Sequence, residues 1–181
     1  MAFAVSLFLD AALSDAVSER WRRLADAGLS HSMLDLAYPP HVTLSVSEEL
    51  DARAATLALD DVFGRINQIG VTLTGISTFG PDGGVCYAAL APSPELDRLH
   101  EKVQAVAGET CRPHYRVGHW TPHCTLAMNL SAADLGRAID LLARDWRPLS
   151  GVFEAADFVE FKPIAGIRRW SLPISRSDRP L

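Results

Sequence analysis

A chain of 181 residues with 48% apolar and 22% charged content is long enough to bury a real core and too apolar to be disordered. Its net charge of −5 excludes a broad, sequence-blind grip on long nucleic acid, which needs clustered cations, but leaves room for a small anionic ligand in a locally basic cleft. No apolar run reaches the roughly 18–20 residues needed to span a bilayer, and three cysteines without a CxxC pair point to reduced thiols in a cytoplasmic protein.

The apolar start has no basic lead-in, and Asp10 and Asp15 follow at once. It therefore reads as a first strand with Phe3, Val5, Leu7 and Leu9 alternating, not as a leader. A helix follows, with Leu13, Val17, Trp21 and Leu24 on one face and Gly28 as its stop. After a strand at residues 41–46, a second helix carries Leu50, Ala54, Leu57, Ala58 and Val62 and ends at Gly64. Residues 71–79 and 85–91 read as strands joined by a turn at 80–84, with Gly80, Pro81 and Gly84. Ser93, Pro94 and Glu95 supply the N-cap, first position and first-turn acid of a third helix, along which Leu96, Leu99, Val103 and Val106 recur. A second short strand at 123–128 precedes a fourth helix, opened by Ser131 and Asp134 in capping-box outline and continued by Leu135, Ile139, Leu142 and Trp146. Residues 153–161, a turn at 162–166 and residues 168–172 close the set.

One feature outweighs the rest. His41-Val42-Thr43-Leu44 returns 82 residues later as His123-Cys124-Thr125-Leu126, each copy preceded by a proline, Pro40 and Pro122. Sliding the chain by 82 without a gap also sets Phe79 on Phe161, Pro81 on Pro163, Gly84 on Gly166 and Leu90 on Leu172, and helix on helix. Two long copies point to a single domain, residues 1–181, made of two lobes about a pseudo-two-fold axis; a solenoid needs at least three shorter repeats.

On a strand, alternation puts His41 and Thr43 on one face and Val42, Leu44 and Val46 on the other. His123 and Thr125 likewise oppose Cys124, Leu126 and Met128. With the apolar faces buried, imidazole and hydroxyl line a cleft. A pseudo-two-fold axis then sets the histidines on opposite sides of one phosphorus, the arrangement for in-line displacement. One imidazole removes a proton from the nucleophile, the other protonates the leaving oxygen, and the threonine hydroxyls stabilise the non-bridging oxygens. That chemistry calls for no metal and no cofactor.

Two His-x-Thr motifs about 80 residues apart, each followed by Leu and preceded by Pro, resemble the two-histidine (2H) phosphoesterase superfamily, in particular its 2′-5′ RNA ligase-like branch. The resemblance covers nearly the whole chain. It implies an α+β, bilobal, duplicated fold with two antiparallel sheets flanking a central cleft and helices on the outer faces. It implies cyclic phosphodiesterase or ligase-like activity on 2′,3′-cyclic phosphate or 2′-5′ linked RNA ends, with His41 and His123 catalytic and Thr43 and Thr125 on the phosphate. The partner is then a small nucleotide or RNA end, the protein a monomer that binds neither membrane nor long duplex.

Further candidates surround the motifs. Tyr38 and Trp120 each lie three residues before a motif histidine, placed equally well to stack on a base or to pack. Arg112 and Arg116 lead into the second motif and can reach substrate phosphate; Lys162, Arg168 and Arg169 are the other cations. His114, His119 and His123 have a spacing, H-x4-H-x3-H, that is no standard metal pattern. His31 and His100 read as surface residues. Two rival classes stand beside the phosphoesterase: a silent nucleotide-binding module, and a metal-dependent hydrolase using the extra histidines.

Overall fold

The computed structural model describes residues 2–80, 84–161 and 163–175. Pro81 and Lys162, named in the turn register and among the cations, lie outside the described residues. Among the described residues, seven strands and five α-helices run in the order β1 (Ala2–Leu9), α1 (Ala11–Asp26), α2 (Ser32–Asp35), β2 (His41–Ser47), α3 (Ala52–Phe63), β3 (Ile69–Thr78), β4 (Cys86–Leu90), α4 (Pro94–Ala107), β5 (His123–Ala127), α5 (Ala132–Ala143), β6 (Leu149–Phe161) and β7 (Ala165–Ser171). All strand pairs are antiparallel. The mixed helix and antiparallel-sheet class expected from the sequence is the class observed.

The sheet itself differs from the expectation of two separate sheets. All seven strands are connected in the order β1-β2-β5-β4-β3-β6-β7, and β1 also pairs with β6, so the first six strands form a closed circuit. Two contacts join what were expected to be separate layers. Val42 on β2 pairs with Cys124 on β5, setting the two motif strands side by side. The 13-residue β6 is long enough to pair with β3 through its first part and with β7 and β1 through the rest.

The unbroken 82-residue register also needs correction. The motif strands keep that spacing, but the α3 and α5 caps, Asp51 and Ser131, stand 80 apart. The β3–β6 ladder is symmetric about Val71 and Gly151, again 80 apart, with Ile69 opposite Phe153 and Leu73 opposite Leu149. The α1 and α4 caps, Asp10 and Ser93, stand 83 apart. Side chains alternate along a strand, so a one-residue error changes the face a residue occupies. Phe8 and Ala89, 81 apart, lie opposite the two histidines. Connections of unequal length absorb the drift.

The helices begin where their caps predict. Ser93 accepts from Leu96 N at 3.3 Å and Ser131 from Asp134 N at 3.1 Å. The faces of α1 and α4 are as expected, with Leu13, Val17, Trp21 and Leu24 buried on the first and Leu96, Leu99 and Val103 on the second. His100 is a correction: it lies on this same α4 face, 3% exposed, with Nε2 2.7 Å from Tyr115 O and its ring stacked on Trp120. The α3 face is also rotated, for Ala55, Leu59 and Phe63 are buried while Leu57 is 66% exposed. Phe63, stacked on Trp170 of β7, sets that rotation.

Asp10 ties the start of α1 to the sheet. One carboxylate oxygen accepts from Leu13 N at 3.0 Å and the other from Val152 N at 2.6 Å. Gly151 leaves the space that this carboxylate fills, because a Cβ there would collide with it. Replacing Asp10 by Ala is expected to cost about 1–3 kcal/mol in urea unfolding, as a cap and a bond to a charged acceptor are lost together. Gly151→Ala should destabilise the wild type by displacing the carboxylate, and much less so in the Asp10→Ala background; equal costs in both backgrounds would refute the steric account.

Candidate active site

Both motif strands start with the same local device. His41 Nδ1 lies 2.8 Å from Pro39 O, and His123 Nδ1 lies 2.7 Å from Thr121 O. A carbonyl only accepts, so Nδ1 carries the hydrogen in both rings and Nε2 keeps its lone pair when the ring is neutral. The acceptor sits two residues before each histidine, and Pro40 and Pro122 occupy the position between.

Strand alternation divides the residues as the sequence predicts. Val42, Leu44, Cys124 and Leu126 are buried to 1% exposure or less, while His41, Thr43, His123 and Thr125 are only partly buried. Their four side chains line one cavity of about 280 Å³. A second cavity of about 490 Å³ continues from it past His123 and Thr125 toward Phe79 and His114. A third, open groove of about 540 Å³ near Thr72, Ser93 and Arg98 holds none of the motif residues.

Indole N–H groups fix the backbone behind the threonines. Trp120 Nε1 donates to Thr43 O and Trp21 Nε1 to Thr125 O, both at 3.0 Å. Tyr115 lines the same cavity as Thr43. The segment that carries Tyr115 is itself pinned to β2, because Arg112 N donates to Val46 O at 2.8 Å.

The walls beside the two histidines differ. The Tyr38 ring meets His41 edge to face at 4.7 Å, and its hydroxyl donates to Asp157, 2.6 and 2.7 Å from the two oxygens. His123 is instead flanked by Phe79 at 4.7 Å and Tyr87 at 5.3 Å, two rings stacked on each other. Burial lowers the His41 imidazole to about 4, against the pull of the Pro39 carbonyl, with His123 adding to the lowering. Burial lowers His123 as well, opposed by the Thr121 carbonyl and assisted by His114. Burial raises the Asp157 carboxyl to about 6, although Tyr38 and Arg169 both favour its charged form.

The profile of the 2′-5′ RNA ligase superfamily matches residues 12–162, most of the chain and both motif strands. The chain belongs to this superfamily. A relative among curated proteins, from Bacillus licheniformis, is named provisionally as a phosphoesterase; it is 28% identical over 135 residues, covering 72% of this chain and 73% of its own length. Among solved structures, TT0787 of Thermus thermophilus shares the fold with a TM-score of 0.62 at 19% identity, over 97% of this chain and 100% of its own. LigT of E. coli, solved in complex with 3′-AMP, gives 0.55 at 20% identity over 94% and 97% of the two chains. Usb1 of Kluyveromyces marxianus gives 0.53 at 13% identity over 96% and 98%.

In this 2′-5′ RNA ligase superfamily member, His41, Thr43, His123 and Thr125 come together, and Tyr38 and Arg112 line the same cavity. Trp120 and Arg116 do not line either motif cavity. Trp120 is spent on His100 and on Thr43 O, and Arg116 is turned onto Cys111 O at 2.9 Å and Glu109 O at 2.6 Å. Tyr38 and Trp120 share a sequence position but not a task. His114 and His119 line the His123 cavity, yet among the described residues no group of three or more His, Cys, Asp or Glu stands close enough to hold a metal ion. No helix among the described residues is long and apolar enough to cross a membrane. Cys86, Cys111 and Cys124 are free and buried. Sequence reasoning missed Tyr115, Tyr87 and Asp157 as site residues. Tyr115 stood inside the flagged 112–116 stretch; Asp157 gave no local signal, since β6 meets Tyr38 only through the fold.

Imidazoles lowered by folding bind fewer protons than in the unfolded chain, so His41 makes stability rise with pH between about 4 and 6.5, and His100 and His123, lowered in the same direction, add to that rise. Asp157, raised from 3.8 to about 6, opposes them over that window. Urea midpoints are expected to rise from pH 4.5 to pH 7, more steeply in Asp157→Asn and less steeply in His41→Gln. A midpoint that falls over this range would contradict these imidazole shifts.

Proposed function

We propose that this protein is a metal-independent phosphoesterase that opens 2′,3′-cyclic phosphates of nucleotides or RNA ends by acid–base catalysis between His41 and His123. The observation that carries the reading is the single cavity lined by both histidines and both threonines, with Nδ1 of each ring committed to a backbone carbonyl. Membership of the superfamily supports the phosphoester class. E. coli LigT was solved with 3′-AMP, a nucleotide of the size this cleft would take.

A cyclic phosphate brings a negative charge against two rings that burial keeps neutral. That charge favours protonation of one imidazole and supplies the acid. The neutral partner accepts a proton from water as the water oxygen bonds to phosphorus. The bond from phosphorus to one ribose oxygen breaks, and the imidazolium gives its proton to that oxygen. Thr43 and Thr125 donate to the non-bridging oxygens, with their strands held by Trp120 and Trp21. Arg112, whose Nε is held by Glu48 at 2.6 Å, has its terminal amino groups left for the phosphate. The cleft would act within a single domain of two pseudo-equivalent halves, a reading supported by the symmetric β3–β6 ladder and the adjacent motif strands, and the free cysteines fit a cytoplasmic setting. The same site run in reverse would join a hydroxyl to a cyclic phosphate, which is ligation.

Purified protein given 2′,3′-cyclic nucleotides with chelator present is expected to turn them over. His41→Ala and His123→Ala should each lose more than about a hundredfold in kcat, in the range of general acid–base contributions. Thr43→Val and Thr125→Val should lose about tenfold or more, the scale of a removed oxyanion donor. The pH profile should be bell-shaped. Activity that vanishes with chelator, or that ignores either histidine substitution, would refute the reading.

A further inference from the structure

The threonines and histidines repeat; the groups behind them do not. On the His41 side, β-pairing sets Thr43, Ser6, Asp157 and Arg169 in one row across β2, β1, β6 and β7. On the His123 side the row is Thr125, Tyr87 and Ser77. A buried carboxylate, 7% exposed, thus stands on one side only. Its position relative to the β3–β6 symmetry matches Ser77, which carries no charge.

We propose that Asp157 is a positioning residue for His41, acting through Tyr38, and that this one-sided support makes the two histidines unequal in the reaction. The proposal rests on the acid–base reading above. The Tyr38 hydroxyl lies within 2.7 Å of both carboxylate oxygens, so the phenol is held at its far end. Phe8 holds the ring from the side at 5.3 Å, edge to face. The ring so fixed meets His41 edge to face, while the Pro39 carbonyl fixes the imidazole from Nδ1. His41 therefore has one rotational setting determined from two directions. The carboxylate behind Tyr38 also places an acidic group on the His41 side that the His123 row lacks. His123 lies beside Phe79 and Tyr87. The charged and titratable groups around the pair are Arg169, which faces Asp157 from β7 and covers Phe8 at 4.7 Å, and His123, Arg112 and Tyr115, which line the same cavity as His41.

The test compares wild type, Asp157→Asn and Tyr38→Phe, with folding checked by thermal melts. Ring nitrogen NMR of labelled histidine reads each imidazole directly. In both variants the His41 ring signals and their titration midpoint are expected to move, while those of His123 stay in place. With a 2′,3′-cyclic nucleotide, kcat should fall about tenfold with KM changed less than about threefold, and the acid limb of the pH profile should shift. The double variant should lose no more than the larger single loss, because both changes cut one chain of contacts. Folded variants whose His41 signals stay fixed, or whose His41 and His123 signals move alike, overturn the proposal. If His41 responds selectively but the wild type turns over no cyclic phosphate, the phosphoesterase reading fails and the positioning role stands.

Discussion

Everything in the cleft depends on one short tether made twice: an imidazole Nδ1–H held by the carbonyl two residues upstream. The intervening proline makes that tether cheap. It fixes its own φ and restricts the residue before it to extended conformations, so the accepting carbonyl is oriented before the strand begins. Without the tether, an imidazole at the first position of a strand turns freely about two bonds and either nitrogen can carry the hydrogen. With it, ring direction and tautomer are chosen together. The prolines that looked like punctuation in the sequence are parts of the site.

The second layer holds the strands at the right distance. Val42 and Cys124 pair, so the two tethers are anchored on neighbouring strands. Trp21 and Trp120 reach the threonine carbonyls from α1 and from the segment before β5, across 104 and 77 residues of chain. Both indole donors, carried into the interior by large rings, are satisfied by backbone acceptors. Aromatic residues thereby do here what more strand hydrogen bonds would do elsewhere.

Much of this was legible in the sequence because it depends on local rules. Alternation assigned His41 and Thr43 to one face from period two alone, and Ser93 and Ser131 announced their helices by capping chemistry. What was not legible depends on packing at a distance. Whether Leu57 or Phe63 faces inward on α3 is decided by Trp170, more than 100 residues away. His100 looks polar and exposed in sequence, yet a stacking partner and a carbonyl wait for it at the α4 surface. The drift of the internal spacing from 83 to 80 hid the correct partner of Asp157, because a face assignment does not survive a one-residue error.

The closed strand circuit has a mechanical consequence. A pair of domains joined by a hinge can swing apart to admit a substrate, but β1, β2, β5, β4, β3 and β6 form a hoop whose opening would break a ladder. The adjacency of the two histidine strands is thereby built into the sheet, at the pair Val42 and Cys124. The stretch from Gly108 to Thr121, which brings Arg112 and Tyr115 to the same cavity, lies outside the strands of the hoop. Substitutions in that stretch therefore change the lining of the cavity without breaking a strand pair of the hoop.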